Sequence, residues 1–332
     1  MINTILFKAQ RIKRTFVVAL LSFGILSCGS EAIVSAGISG TGIVFGVITS
    51  FGSIYVNGVK YDIDDADFDV DGKAYTGVEG QQNLAIGMVV RLEATDNGDG
   101  TGVATRVDYD DAVEGPISAI DPVDANIKRL QIFNLQVIVD AQSTRFKDTE
   151  FTQLAVDDVV EVSGFLNQDG DVVATLIEFK EILEVGQTEV ELRGTISDLD
   201  EGLMQFLLNG TVTIRYDDDT ELEDLVGDLS NGLYVEVKGR YQNDSSILAE
   251  EIEAEDEDRS GLEDASGEVS LQGIITSFTS VNEFSVSGIA VELDSTQVDA
   301  SILAQLTLGL EVEVKGEIQN GILIADEIDI ED

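Results

Sequence analysis

The sequence predicts an all-β protein: four tandem small β-barrels of about five or six strands each, after an N-terminal leader. Three observations predict it. A Gly-x-Ile-type opening returns at Gly46-Val47-Ile48, Gly115-Pro116-Ile117, Gly194-Thr195-Ile196 and Gly273-Ile274-Ile275. A Leu-x-x-Gly-x-x-Val-x-Val segment follows, clearest in residues 229–237 and 306–314, and each unit closes on Ala-x-x-Ile or Val, as at residues 104–107, 174–177, 249–252 and 325–328. The openings lie 69, 79 and 79 residues apart, the size of a small domain rather than of a solenoid coil. Within a unit the apolar period is two, which marks half-buried strands: Val235 and Val237 point inward while Tyr234, Glu236 and Lys238 point outward. Val312 and Val314 repeat the pattern against Glu311, Glu313 and Lys315.

The order of elements follows from the turns. After each opening strand comes a hairpin signal, strongest in Val56-Asn57-Gly58-Val59, where Asn-Gly supplies two residues that accept φ > 0. Leu208-Asn209-Gly210 and Val286-Ser287-Gly288 stand in the same place, and Phe133-Asn134-Leu135 is a weaker variant. A second hairpin joins the Val-x-Val strand to the closing strand at residues 97–100, 167–170, 243–245 and 320–321. Gly87, Gly232 and Gly309 open the Val-x-Val strand and predict a left-handed residue there, with Asp157 in that position in the second unit. Helical signal is confined to a turn or two before that residue, as in residues 301–306, and this piece ahead of the fourth strand selects an OB-like barrel over a sandwich. A unit this small buries only about 60% of its unfolded surface and is marginal alone. Aromatic residues on or beside the strands (Tyr55, Tyr61, Phe133, Phe206, Phe284) are expected in the cores.

The ends divide the chain further. Lys8, Arg11, Lys13 and Arg14 precede an apolar run at residues 15–26, the pattern of a secretory signal over residues 1–27. Ile25-Leu26-Ser27-Cys28 resembles the lipobox of bacterial lipoproteins, in which the Cys becomes the acylated first residue. Cys28 is the only Cys, so no intrachain disulfide forms, and it is the expected lipid attachment point. Several acyl chains, each methylene worth about 0.8 kcal/mol on burial, would anchor the protein firmly. Gly29 after it, by the same resemblance, implies the outer membrane. The expected organisation is a tether at 28–41, repeats at 42–112, 113–186 and 187–256, an acidic linker at 257–266 and a fourth repeat at 267–332. The junctions read as loose.

The strings Phe51-Gly52-Ser53-Ile54-Tyr55-Val56-Asn57-Gly58-Val59-Lys60-Tyr61 and Val70-Asp71-Gly72, followed by Gly87-Met88-Val89-Val90, resemble the bacterial domain of unknown function 5666. The resemblance implies tandem copies in exported proteins, often lipoproteins. It implies no activity and no functional residues. The first repeat carries the likeness best; the other three keep the frame without the aromatic-Gly-Ser opening.

Composition excludes several functions. The net charge is −45, and removal of residues 1–27 takes four of the 19 basic residues and none of the 64 acidic ones, leaving −49. Such a surface repels phosphate backbones, so no nucleic acid is expected as a partner. There is no His and no Trp, which removes Ser-His-Asp and Cys-His catalysis and His-based zinc sites. No phosphate-binding Gly-x-x-x-x-Gly-Lys-Ser/Thr loop exists, so no nucleotide is expected. One acidic run stands out: Asp67, Asp69 and Asp71 before Gly72 repeat the first half of a calcium loop, then depart from it at Val78. The competing reading is a hairpin whose alternate Asp residues face water. The sequence thus predicts a non-enzymatic envelope lipoprotein, without a required cofactor. It would act as a tandem interaction or structural module toward an unknown protein or polymer, held to the membrane through its lipid. The alternatives are a cell-surface or adhesion protein with weak calcium at Asp67, Asp69 and Asp71, and, remotely, a carboxylate-based hydrolase.

Overall fold

The computed structural model describes residues 39–225, 227–255, 262, 267–293 and 298–331. Cys28, the leader, the tether up to residue 38 and the acidic linker apart from Leu262 lie outside the described residues. Repeat 1 comprises β1 (Ser39–Val47), β2 (Ser50–Phe51), β3 (Ile54–Val56), β4 (Val59–Asp62), β5 (Asp67–Val70), β6 (Lys73–Thr76), α1 (Gly77–Gln82), β7 (Val89–Asn97) and β8 (Thr101–Tyr109). Repeat 2 comprises β9 (Val113–Pro122), β10 (Ile127–Ile132), β11 (Leu135–Asp140), β12 (Arg145–Lys147), β13 (Asp158–Leu166) and β14 (Val172–Ile182). In repeat 3 these are β15 (Glu189–Asp200), β16 (Gln205–Leu208), β17 (Val212–Arg215), β18 (Glu221–Glu223), β19 (Tyr234–Tyr241) and β20 (Ile247–Ala254). Repeat 4 has β21 (Gly267–Ser280), β22 (Glu283–Val286), β23 (Ile289–Leu293), α2 (Ala300–Leu303), β24 (Glu311–Gln319) and β25 (Ile322–Ile330).

Each repeat closes into a five-strand barrel. In repeat 2, β9 pairs with β10, β10 with β11, β11 in parallel with β14, β14 with β13, and β13 back to β9. Repeats 3 and 4 repeat the circle, β15-β16-β17-β20-β19 and β21-β22-β23-β25-β24. Repeat 1 does so with β1 and β2 as one interrupted first strand. A first strand shared between the second and fourth, with the third parallel to the fifth, is an OB-like barrel. In the first three repeats the third strand breaks and a further short piece (β5, β12 or β18) continues along the fifth. Among the described residues the helical turn ahead of the fourth strand forms in repeats 1 and 4; in repeat 4 Asp299 caps it, accepting from the Ser301 N–H.

The opening glycines have a steric reason. The first residue of the next hairpin turn folds back over each of them, so that a Cβ on Gly46 would lie 2.0 Å from Asn57 Oδ1, and one on Gly194 2.3 Å from the Asn209 amide. Phe133 covers Gly115 and Ser287 covers Gly273 in the same way. The turns are the left-handed pairs that Asn-Gly favours: φ is 51° and 73° at Asn57 and Gly58, and 50° and 69° at Asn209 and Gly210. Asn209 then secures the fold-back, its Nδ2 donating to the Arg193 carbonyl at 3.1 Å and its Oδ1 accepting from the Thr195 N–H at 3.0 Å. Gly194→Ala is therefore expected to lower stability by about 2 kcal/mol, through overpacking and the two displaced hydrogen bonds. Urea unfolding measures it, and an unchanged midpoint would contradict the fold-back. Gly87, Asp157, Gly232 and Gly309 all take positive φ, as their place before the fourth strand requires.

The repeats are joined more tightly than their linkers suggest. Repeats 2 and 3 share one continuous core that runs from Val113 and Ile132 through Phe206 to Ile252. Repeats 1 and 4 each have their own. Strand β1 pairs in parallel with β21 over Gly42–Phe45 and Glu268–Leu271. The first strands β9 and β15 meet at Glu114 and Glu191. Repeat 2 also reaches repeat 1: the Val89 N–H donates to Ser163 Oγ at 2.8 Å and Leu176 enters the repeat 1 core. The alternation correctly turns Glu236 and Glu313 away from their own barrels. It does not place them in water: Glu161, Glu236 and Glu313 are buried where barrels meet.

Candidate functional site

The largest assembly of charge lies where repeats 1, 2 and 3 converge. Strand alternation delivers it. On β15, Val190 and Leu192 point into the core, so Glu191 and Arg193 point out; on β19, Val235 and Val237 send Glu236 and Lys238 to the same side. Repeat 2 adds Glu114 from β9, Glu161 from β13 and Lys180 from β14. Repeat 1 adds Tyr109 at the end of β8, the connector residues Asp110 and Asp111, and Asp71 from the β5–β6 turn.

Arg193 is the hub. Its side chain is 6% exposed, and its guanidinium donates to the Asp111 carbonyl at 2.7 Å and to Asp110 Oδ1 at 3.2 Å. It also pairs with Glu236, and with Glu191 at 3.4 Å. Burial alone would lower its pKa, but Glu236, Asp110, Glu191 and Asp111 together raise it. Lys238 lies 2.9 Å from Glu236 and 3.8 Å from Glu191. On the repeat 2 side, Tyr109 Oη donates to Glu161 Oε1 and Lys180 Nζ to Glu161 Oε2, both at 2.6 Å.

Acids outnumber bases here, and burial makes several of them hold protons. Burial, then the charge of Asp111 and a hydrogen bond to Glu236, pushes Glu191 up to about 12. Burial with Glu161 and Asp110 nearby pushes Asp71 up to about 7. Burial, then Asp71 and Glu161, raises Asp111 well above the usual carboxylate range. Glu236 goes the other way: burial opposes ionisation, but the Glu191 hydrogen bond, Arg193 and Lys238 outweigh it. Protonated Glu191 against ionised Glu236 is the arrangement these neighbours favour. Beside this core opens an acid-lined cleft of about 630 Å³ that includes Asp71, Glu114, Glu191, Lys180 and Lys238, with the exposed turn residues Asp217 and Asp219 at its side.

The candidate calcium residues are placed separately. Asp67 on β5 is exposed, and Asp69 is 3.3 Å from the Arg106 guanidinium. Phe68 and Val70 between them are buried, as in a half-buried strand. Asp71 (φ 50°) and Gly72 (φ 72°) form the tight turn of a hairpin. Asp71 lies with Asp111 and Glu191, whose carboxylate oxygens come within 4.8 Å of one another. Neither Asp111 nor Glu191 stands out in the sequence, since their significance depends on strands of different repeats. A signal was present in Leu192-Arg193-Gly194, a cation at an outward position in a chain with few bases. Of the aromatics, Tyr61, Phe206 and Phe284 are core residues, and Phe133 packs against the core from its edge. Among the described residues no helix is long and apolar enough to cross a membrane.

Comparison with known proteins bears on the repeat and not on the charged junction. No curated protein matches the chain. A solved structure described as drosophila Unr CSD456 is similar over 67% of this chain and 98% of its own, at 14% identity and a TM-score of 0.16. The family described as Domain of unknown function (DUF5666) matches four times, at residues 41–108, 114–178, 193–253 and 272–329. These four matches coincide with the four closed barrels and cover most of the sequence, and the chain belongs to the DUF5666 family.

Proposed function

We propose that this chain is a non-enzymatic envelope lipoprotein, exported by its leader, acylated at Cys28 and held at the outer membrane, where its four barrels serve as an interaction or structural module. The supporting observation is where the buried charge goes. Arg193 of repeat 3 binds Glu191 and Glu236 in its own repeat and Asp110 and the Asp111 carbonyl at the end of repeat 1, while Glu161 of repeat 2 binds Tyr109 of repeat 1 and Lys180. Charges engaged in this way fix the repeats relative to each other and are not free to move protons on a substrate. The exterior remains strongly acidic, which favours a protein or polymer partner with cationic groups over nucleic acid. The calcium-stabilised alternative keeps one support, the closeness of Asp71 to Asp111 and Glu191. An ion there would have to displace the protons these acids hold and oppose the charge of Arg193.

Cys28→Ala is the direct test. The variant is expected to leave the membrane fraction almost completely and to appear in the soluble envelope fraction, with unchanged strand content by circular dichroism. Retention with the membrane after that change would overturn the lipid anchor. Cross-linking in intact cells then identifies what the barrels touch.

A further inference from the structure

Strand β1 differs from the other first strands in a way its own barrel does not require. Its inward side chain Val44 fills the repeat 1 core, as expected. Its outward residues Ile43 and Phe45 pack against the core of repeat 4, and Phe45 and Val47 join Val89, Phe165, Val173 and Ile274 in an apolar cluster shared by repeats 1, 2 and 4. The positions that match Ile43 and Phe45 are polar on two of the other first strands: Glu191 and Arg193 on β15, Ser270 and Gln272 on β21. The backbone edge of β1 at Gly42–Phe45 is also occupied, by the parallel ladder to Glu268–Leu271. Gly42 permits the approach, because a Cβ there would lie 2.0 Å from the Glu268 carbonyl oxygen. Polar contacts complete the seat: the Val47 N–H donates to Gln272 Oε1 at 2.9 Å and Asn57 Nδ2 to Ser270 Oγ at 2.6 Å. Without repeat 4, repeat 1 would present an apolar strip beside an unpaired strand edge, a surface that seeks another strand.

Repeat 4 is built as a separable part. It has a closed barrel and a core of its own, into which Leu262 from the preceding linker is also packed. Only residues 256–261 connect Glu255, at the end of repeat 3, to Leu262. Its seat lies more than 200 residues back along the chain, at the opposite end of the tandem array. We propose that repeat 4 is an exchangeable cap: the β1 seat, which it fills in its own chain, also accepts repeat 4 of a second copy of this chain. The exchanged contact uses the same ladder, the same apolar cluster and the same two side-chain hydrogen bonds, so it gains and loses nothing at the seam itself. What selects self-capping over exchange is the linker, because a connection too short to return to its own repeat 1 must deliver the cap to another. Reciprocal exchange gives a dimer, and head-to-tail exchange gives a chain of copies.

Deleting residues 256–261 in the full chain carrying Cys28→Ala tests this. The expected result is a doubling or more of the mass read by light scattering, with strand content retained, and a return to monomer when Phe45→Glu is added. A folded deletion variant that stays monomeric overturns the proposal, and so does a dimer that survives Phe45→Glu. If the deletion variant does not fold, two differently tagged chains with the native linker are mixed at about 100 µM in mild urea and diluted out. Co-purification of both tags, lost with Phe45→Glu, supports exchange; its absence overturns it.

Discussion

Replacing Arg193 by Met is expected to destabilise the protein by about 3–5 kcal/mol, the cost of removing one partner from a buried charge network. The side chain that fills the space cannot neutralise what surrounds it. Glu236 would stay ionised with Lys238 as its remaining nearby cation, and Asp110 and the Asp111 carbonyl would lose their donor. Because Arg193 is on β15 while Asp110 and Asp111 connect repeats 1 and 2, the loss falls on the joint and not on one barrel. Arg193→Lys keeps a charge but cannot reach Glu236 and the Asp111 carbonyl at once, so an intermediate loss is expected. Urea unfolding of the three proteins measures the series. A loss under 1 kcal/mol for the Met variant would show that Arg193 is not what holds repeat 3 against the connector.

Acidification should stabilise the protein between pH 8 and pH 5. An unfolded Asp releases its proton near pH 3.9, whereas Asp71 in the folded protein holds one up to about pH 7. The folded state therefore binds more protons than the unfolded state across this interval, and its stability falls as pH rises. The gain from Asp71 is complete below pH 4 and lost above pH 7. Asp111 and Glu191 are displaced in the same direction, and the excess of acidic over basic residues adds self-repulsion that protonation relieves. The melting temperature is expected to be on the order of 5 °C higher at pH 5.5 than at pH 8. Asp71→Asn should raise the value at pH 8 and flatten the profile. A melting temperature that falls on acidification through this range would contradict the buried, proton-holding junction.

The local grammar was legible because its causes are local. Asn57-Gly58 and Asn209-Gly210 announce left-handed turns by chemistry alone, and Val235-x-Val237 announces a strand with one face in a core. Asp69-Val70-Asp71-Gly72 is ambiguous at this level, since a hairpin and the first half of a cation loop use the same residues. The structure makes it a hairpin and sends Asp71 to a junction with residues 40 and 120 positions away. Glu236 shows the limit most clearly. Its outward orientation follows from period two, but whether outward means solvent depends on what another repeat brings to that face.

Sequence by itself determined the all-β class, the four barrels, their turns and the opening glycines, because φ preferences, side-chain alternation and the close approach of a turn act within one repeat. Tertiary structure decided the rest. It paired repeat 4 with repeat 1 across the length of the chain, covered Ile43 and Phe45, and buried Glu161, Glu191, Arg193 and Glu236 together. Those outcomes depend on the edges and faces that closed barrels leave over. An outward side chain has the same local pattern whether it meets water or a neighbouring barrel, so only the packing of whole repeats tells the two apart.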